Sequence, residues 1–366
     1  MKNFNLAIKN PLSRIIKPSL ISLPTPASIS YLWNIGFLLG FTLVFQIITG
    51  VVLAINYVPE VSTAFESVIH IIRDIEGGWI VRYCHINGAS LFFILLYAHL
   101  RRGAYYASPS KSPLVWVSGV LILLASIITA FIGYVLPWGQ ISYWGATVIT
   151  RMLSALPYVG GTLTEWLWGN FSVSQPTLNR FFALHFLIPL AIVALVVRHL
   201  ILLHEKGSSN PTRTNPNLEK ISFFPYYFIK DLSPFILIRG VILILITVSP
   251  EALGDVENLN PARAAVTPPH IQPEWYFLFS YAILRAIPSK LGGVLAIAIS
   301  ILIQTVLIFR KTSLAAKFSP KKKLILWSLL STVFLLTWVG ANPVEDPFSR
   351  VGVAFTAIYF ILFVLV

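Results

Sequence analysis

The chain holds one cysteine, two methionines and little charge: 11% of its 366 residues are Asp, Glu, Lys or Arg, and only 14 are acidic. A lone cysteine, Cys84, excludes an intramolecular disulfide. So few charges argue against the surface of a soluble domain. The period-two alternation of a membrane β-barrel is absent, and no segment repeats with a solenoid period. No apolar core stands ahead of Tyr31, so no separate cleavable signal peptide is expected. The stretch 1–30 carries four bases and no acid. It is expected to be an amphipathic surface helix rather than a transit peptide.

What the chain does have is apolar length. Hydrophobic residues make up 56% of it. They gather into eight bilayer-length runs, predicted at 31–58, 83–100, 113–136, 178–203, 232–248, 291–309, 324–339 and 351–366. Backbone amides in lipid must be satisfied within their own segment, so these runs are helices. The expected fold class is all-α integral membrane, in three parts: a surface segment (1–30), a four-helix bundle (31–210) and a C-terminal four-helix region (211–366). Eight spans put both termini on one side. That side collects 18 of the 27 basic residues and, of the acids, only Glu205, Glu219 and Asp231. The positive-inside rule makes it the cytoplasmic or matrix face. The net charge of +13 thus reads as topology, and no nucleic-acid partner is expected. Lys321-Lys322-Lys323 is suited to anionic membrane lipid, cardiolipin included. Long connections at 137–177, 205–231 and 250–290 are expected to be functional loops, and 61–76 an interfacial helix.

Two apolar segments each carry a pair of histidines fourteen residues apart: His85 and His99, His185 and His199. Fourteen residues advance a helix by about 21 Å and return within about 40° of the same face. Two such helices side by side offer one His–His pair near each membrane surface, which suits two stacked haems. A lone intramembrane histidine more often bonds a neighbouring helix; a doubled spacing is hard to reach by chance. Gly36 and Gly50 in the first span, and Gly119 and Gly133 in the third, repeat the same interval and would let a flat group approach the backbone. Alone, they would read as small-residue helix packing. Bis-histidine iron has no open coordination position and suits electron transfer. With Cys84 alone, covalent haem attachment and an iron–sulfur cluster are both excluded. Arg82 and Arg102 lie three residues from a histidine at opposite ends of the helix. Each is either a propionate partner or a topogenic, snorkelling arginine.

Longer strings resemble the cytochrome b family of cytochrome bc complexes over nearly the whole chain. They are Gly133-Tyr134-Val135-Leu136-Pro137-Trp138-Gly139-Gln140, Tyr143-Trp144-Gly145-Ala146-Thr147 and Pro273-Glu274-Trp275-Tyr276 followed by Phe277-Leu278-Phe279, with His204-Glu205 and Lys230-Asp231. The resemblance implies that His85 and His185 ligate a low-potential b-type haem on the outer side, and His99 and His199 a high-potential one near the matrix. It implies an outer quinol site with Glu274 as proton acceptor beside Tyr134, Gly145 and Tyr281. It implies an inner quinone site with His204, Ser208, Lys230, Asp231 and Asn34. The photosynthetic relatives split this protein into two chains and widen the second histidine spacing by one. The fused chain with equal spacings therefore resembles the respiratory form, and its short length the mitochondrial one. The family further implies ubiquinone as substrate and a mitochondrial inner-membrane location with matrix-facing termini. It also implies assembly as a dimer of complex III with a Rieske iron–sulfur protein, a cytochrome c1-type haem subunit and accessory subunits.

Three features depart from this picture. Arg239 lies well inside the fifth span, where an arginine is costly. Arg101 stands where a small residue is expected. The last span, 16 residues, would cover only about 24 Å. Two other readings compete. A proton channel or transporter would use intramembrane His and Glu but leaves the matched spacings unexplained. A plain haem-bearing anchor leaves the Pro273–Phe279 loop without a use.

Overall fold

The computed structural model describes residues 17–212, 215, 217, 219–310 and 315–366. Most of the expected N-terminal surface helix lies outside them. Among the described residues, the α-helices of eight residues or more are α1 (Ile35–Asn56), α2 (Ala64–Arg73), α3 (Gly78–Tyr105), α4 (Pro113–Val135), α5 (Gln140–Arg151), α6 (Gly160–Trp168), α7 (Gln175–Lys206), α8 (Tyr226–Val248), α9 (Leu278–Arg285), α10 (Lys290–Leu302), α11 (Pro320–Gly340) and α12 (Phe348–Leu365). Among the described residues, eight segments are long and apolar enough to cross a membrane. They are α1 with the turn Tyr31–Trp33 before it, α3, α4, α7, α8, α10 with its 3-10 extension Ile303–Phe309, α11 and α12. The fold is all-α and multi-pass, as the apolar runs require.

Span lengths differ from the sequence expectation mainly at polar ends. α3 extends past the predicted 83–100 at both ends because Gly77, at φ 70°, starts it early and Arg101 and Arg102 continue it. α8 begins at Tyr226 rather than 232, taking Lys230 and Asp231 into its first turns. Hydropathy trims such residues, yet helical hydrogen bonding carries them. Local chemistry sets other boundaries. α4 opens on Pro113, which needs no amide partner in a first turn. At the start of α7 the Thr177 hydroxyl accepts the Ser174 N–H at 3.1 Å, and Gly207 at φ 73° ends the helix. α2 buries Ala64, Ser67 and Ile71 on one face and turns His70 and Asp74, an exposed pair at 2.8 Å, outward. That is the interfacial helix expected at 61–76, shortened to its periodic core.

The first half consists of two helix pairs, α1 packed along α3 and α4 packed along α7. The pairs face each other across a cavity. Leu43, Phe92 and Ile192 line it and are buried in one apolar cluster. In the second half, α9, α11 and α12 pack around Leu336 and Tyr359, with α10 against α9. Several contacts tie the two halves together. β1 (Pro24–Pro26) pairs antiparallel with β2 (Lys220–Ser222). Arg101 on α3 donates to the Leu326 carbonyl of α11 at 2.6 Å and lies over the Trp327 ring, which gives this unexpected arginine a structural use. On the opposite face, the connection between α8 and α9 folds back over the start of α5. Ser142 N–H donates to Asn258 Oδ1 at 2.9 Å, and Gln140 bonds both the Val266 carbonyl and the Arg263 amide.

Candidate functional site

The fourteen-residue spacing brings the four histidines together in two pairs across the facing helix pairs. The His85 and His185 ring centroids are 6.2 Å apart, and those of His99 and His199 are 6.5 Å apart. Metal–imidazole bonds of about 2.0 Å on both sides of one ion, plus the ring radius, would require about 6 Å. Both pairs therefore fit a single ion between them. The outer pair opens onto the cavity between the helix pairs, and each spaced glycine faces the Cε1 edge of one histidine: Gly36 that of His99, Gly50 that of His85, Gly119 that of His199, Gly133 that of His185. A Cβ would stand 3.1 Å from His85 at Gly50, and at Gly133 it would collide with His185. The spacing alone could not say that these glycines clear the imidazoles themselves.

Three Nδ1 atoms meet a hydrogen-bond acceptor. His85 Nδ1 is 2.9 Å from Thr49 Oγ1, His199 Nδ1 is 2.8 Å from Ser118 Oγ and His185 Nδ1 is 2.9 Å from the Thr129 carbonyl. Thr49 and Ser118 were not singled out by spacing. The signal was nonetheless present: each immediately precedes a spaced glycine. His99 differs: its Nδ1 lies 3.3 Å from an Arg102 guanidinium nitrogen. Arg102 also lies over the Trp33 ring, and its Nε is buried with no hydrogen-bond partner among the described residues. An anionic group entering here would satisfy it. Arg82 lines the cavity of the outer histidine pair together with Tyr134 and Glu274.

A second cavity adjoins the first. Tyr134, Gly145, Glu274 and Tyr281 all line it, with Tyr97, Phe277 and Phe279. The four outer-site residues implied by the resemblance are thus brought together, although up to 147 positions separate them in sequence. Folding achieves this by pinning the loop. Tyr97 hydroxyl donates to the Tyr276 carbonyl at 2.7 Å, Trp275 Nε1 donates to Ser90 at 3.1 Å and Tyr276 stacks on Phe93 at 4.2 Å. Trp275 and Tyr276 are drawn onto α3, which leaves Glu274 at the wall between the two cavities, since it and Tyr134 line both. Glu274 Oε1 is buried with no hydrogen-bond partner among the described residues. Burial, joined by the Asp255 and Glu251 carboxylates and only partly offset by Arg82, pushes the Glu274 carboxyl up to about 7. A carboxylate that exchanges its proton near neutrality is a competent general base.

The inner-side residues are less closely assembled. Asn34 Nδ2 donates to the Lys230 carbonyl at 2.7 Å, and the Lys230 ammonium bonds the Ile29 carbonyl and lies over the Tyr31 and Tyr227 rings. Asp231 is buried beside them, whereas His204 is exposed and Ser208 half-buried at the end of α7. No hydrogen bond joins His204 to Asp231 among the described residues. Arg239 is exposed on α8, and nothing in the structure explains it.

A family model described as Cytochrome b/b6/petB matches residues 20–207, and one described as Cytochrome b(C-terminal)/b6/petD matches residues 261–360. A chain from a solved structure titled "Hyperthermophilic respiratory Complex III" is 31% identical and superposes with a TM-score of 0.92. The match covers 99% of this chain and 96% of that one. The paired histidines, their glycine clearances and these matches converge: the chain belongs to the cytochrome b family, the haem-bearing electron-transfer proteins of the membrane.

Proposed function

We propose that this chain is the core subunit of a quinol–cytochrome c oxidoreductase. It oxidises quinol in the outer cavity, moves electrons across the membrane and reduces quinone at the inner end of α8. The observation that carries this reading is the shared wall. Glu274 and Tyr134 line both the outer histidine cavity and the adjoining one, so a quinol bound there loses its proton and its electron to neighbouring groups. Two non-covalent b-type haems are assigned, one between His85 and His185 and one between His99 and His199. Held by two histidines, haem supplies one-electron transfer with no open position for oxygen chemistry.

The remaining work falls to this chain's own residues. Oxidation of one quinol releases two electrons and two protons. Glu274 accepts a proton from the ring hydroxyl, and Tyr134, Gly145 and Tyr281 shape the pocket around it. One electron leaves to an external acceptor and the other crosses to the inner side. There Asp231, His204, Lys230 and Ser208, with Asn34 fixing the Lys230 backbone, bind quinone and feed it protons. Net proton release outside and uptake inside follows. The external acceptor is assigned as a Rieske iron–sulfur protein, followed by a cytochrome c1-type subunit, within a dimeric complex III with accessory subunits. The fused chain and its basic inner loops support a mitochondrial inner membrane, matrix-facing termini and ubiquinone as substrate.

Pyridine-haemochrome analysis of the purified complex tests the reading and should give two b-type haems per chain. Replacing His99 or His199 should remove the inner haem first and leave the outer one reducible by quinol. A count of zero, or both haems surviving with unchanged potentials in either variant, would overturn the assignment.

A further inference from the structure

We infer that Thr49 and Ser118 are positioning residues, each fixing the tautomer of one histidine and thereby setting the reduction potential at its own histidine pair. This rests on the haem assignment above and goes beyond it. Thr49 Oγ1 lies 2.8 Å from the Phe45 carbonyl and 3.2 Å from the Gln46 carbonyl, and Ser118 Oγ lies 2.8 Å from the Val115 carbonyl, so each hydroxyl has a backbone acceptor for its one hydrogen. A hydroxyl has one hydrogen and two lone pairs. With that hydrogen committed to backbone, the contact to the imidazole has one remaining sense: histidine Nδ1–H donates and the hydroxyl accepts. His85 and His199 are therefore protonated at Nδ1, which leaves Nε2 with a free lone pair for an iron. Both hydroxyls are buried, Thr49 at 7% exposure and Ser118 at 5%, so water does not compete for them.

The arrangement is built twice. Thr49 precedes Gly50, which clears the His85 ring; Ser118 precedes Gly119, which clears the His199 ring. One step of helix supplies both the acceptor and the space. The two pairs nevertheless differ in their second histidine. At the outer pair, His185 Nδ1 is also fixed, by the Thr129 backbone carbonyl. At the inner pair, His99 faces the donor Arg102 instead. Among the described residues Ser118 is thus the one Nδ1 acceptor of the inner pair, whereas the outer pair keeps a second when Thr49 is lost. An acceptor on the far nitrogen raises ligand basicity, and a more basic ligand favours the oxidised ion. Removing the hydroxyl should therefore raise the potential, and more at the inner pair than at the outer.

The test is redox titration and low-temperature electron paramagnetic resonance of the whole complex carrying Thr49→Val, Thr49→Ser, Ser118→Ala or Ser118→Thr. Outer-shell partners are typically worth 10–100-fold. At the lower end, the reduced-to-oxidised equilibrium of one haem shifts roughly tenfold, about 59 mV for one electron. Thr49→Val should raise the outer haem alone and Ser118→Ala the inner haem alone, by the larger amount. Thr49→Ser and Ser118→Thr, which keep a hydroxyl, should titrate like the parent. If the apolar variants hold both haems at parental potentials, or shift both haems together, the inference is wrong. Should Thr49→Val fail to take up haem, Thr49→Ala replaces it: a raised outer potential, or haem loss that Thr49→Ser reverses, supports the role, and a parental potential overturns it. Absence of haem from the parent complex would instead sink the ligation reading, which separates the two failures.

Discussion

A methyl group measures how much room each spaced glycine must leave. At Gly133 it would overlap the His185 ring, at Gly50 it would press on His85, and at Gly36 and Gly119 it would meet the facing imidazole at 3.4 and 3.5 Å, ordinary contact. Overpacking a filled site costs about 1–3 kcal/mol where neighbours cannot yield. Gly133→Ala should therefore lose outer-haem absorbance most, Gly50→Ala less, and Gly36→Ala or Gly119→Ala least, read from visible spectra at equal protein. An inner-site loss exceeding the outer would contradict this order. At Glu274 the same scale predicts a pH dependence. The carboxyl is raised to about 7 by burial and by the Asp255 and Glu251 carboxylates, so the proton-accepting form is scarce below that pH and dominant above it. Quinol oxidation should rise with pH through about 7. Glu274→Gln should flatten that rise and slow the reaction, within the 10²–10⁴-fold typical of general-base loss, while both haem spectra stay intact. Stopped-flow haem reduction across pH, with the inner site blocked, checks this; a parental profile in the Gln variant would remove Glu274 as the base.

Helices and loops were not equally legible in the sequence. The eight spans could be read because lipid permits few alternatives: an apolar run of sufficient length must satisfy its own backbone. The histidine pairs could be read because helical geometry turns a spacing into a face. Their Nδ1 partners could not, since Thr49 and Ser118 lie on different helices from the histidines they contact, and only packing fixes that register. The resemblance named Tyr134, Gly145, Glu274 and Tyr281 for the outer cavity, yet not how they meet. Two tethers do this: the fold-back of 258–266 onto Gln140 and Ser142, and the anchoring of Trp275 and Tyr276 on α3. The inner residues were named only by resemblance. The structure gathers Asn34, Lys230 and Asp231 but leaves His204 exposed on α7, because polar residues at a membrane surface carry no periodic signal that binds them into one site.

On the scale of the whole molecule, all four histidines and all four clearance glycines lie before residue 205, while one wall of the outer cavity comes from residues 271–301. Haem binding and quinol oxidation are therefore divided differently along the chain. The connection at 207–219 contributes no histidine and no clearance glycine. The second half is held to the first by β1–β2 pairing, by Arg101 on the Leu326 carbonyl and by the fold-back onto α5. These ties do not need a continuous backbone. We predict that residues 1–212 and 213–366, co-expressed as separate polypeptides, associate in the membrane and give two b-type haems at parental potentials. Residues 1–212 alone should retain both histidine pairs and bind haem, but fail to oxidise quinol, because Pro273, Glu274, Phe277, Phe279 and Tyr281 are missing from the cavity. Redox titration of the two preparations, followed by quinol-driven haem reduction, separates the cases. Haem binding only in the uncut chain would show that the connection holds the bundle together. Quinol oxidation by residues 1–212 alone would show that the outer cavity is not the site.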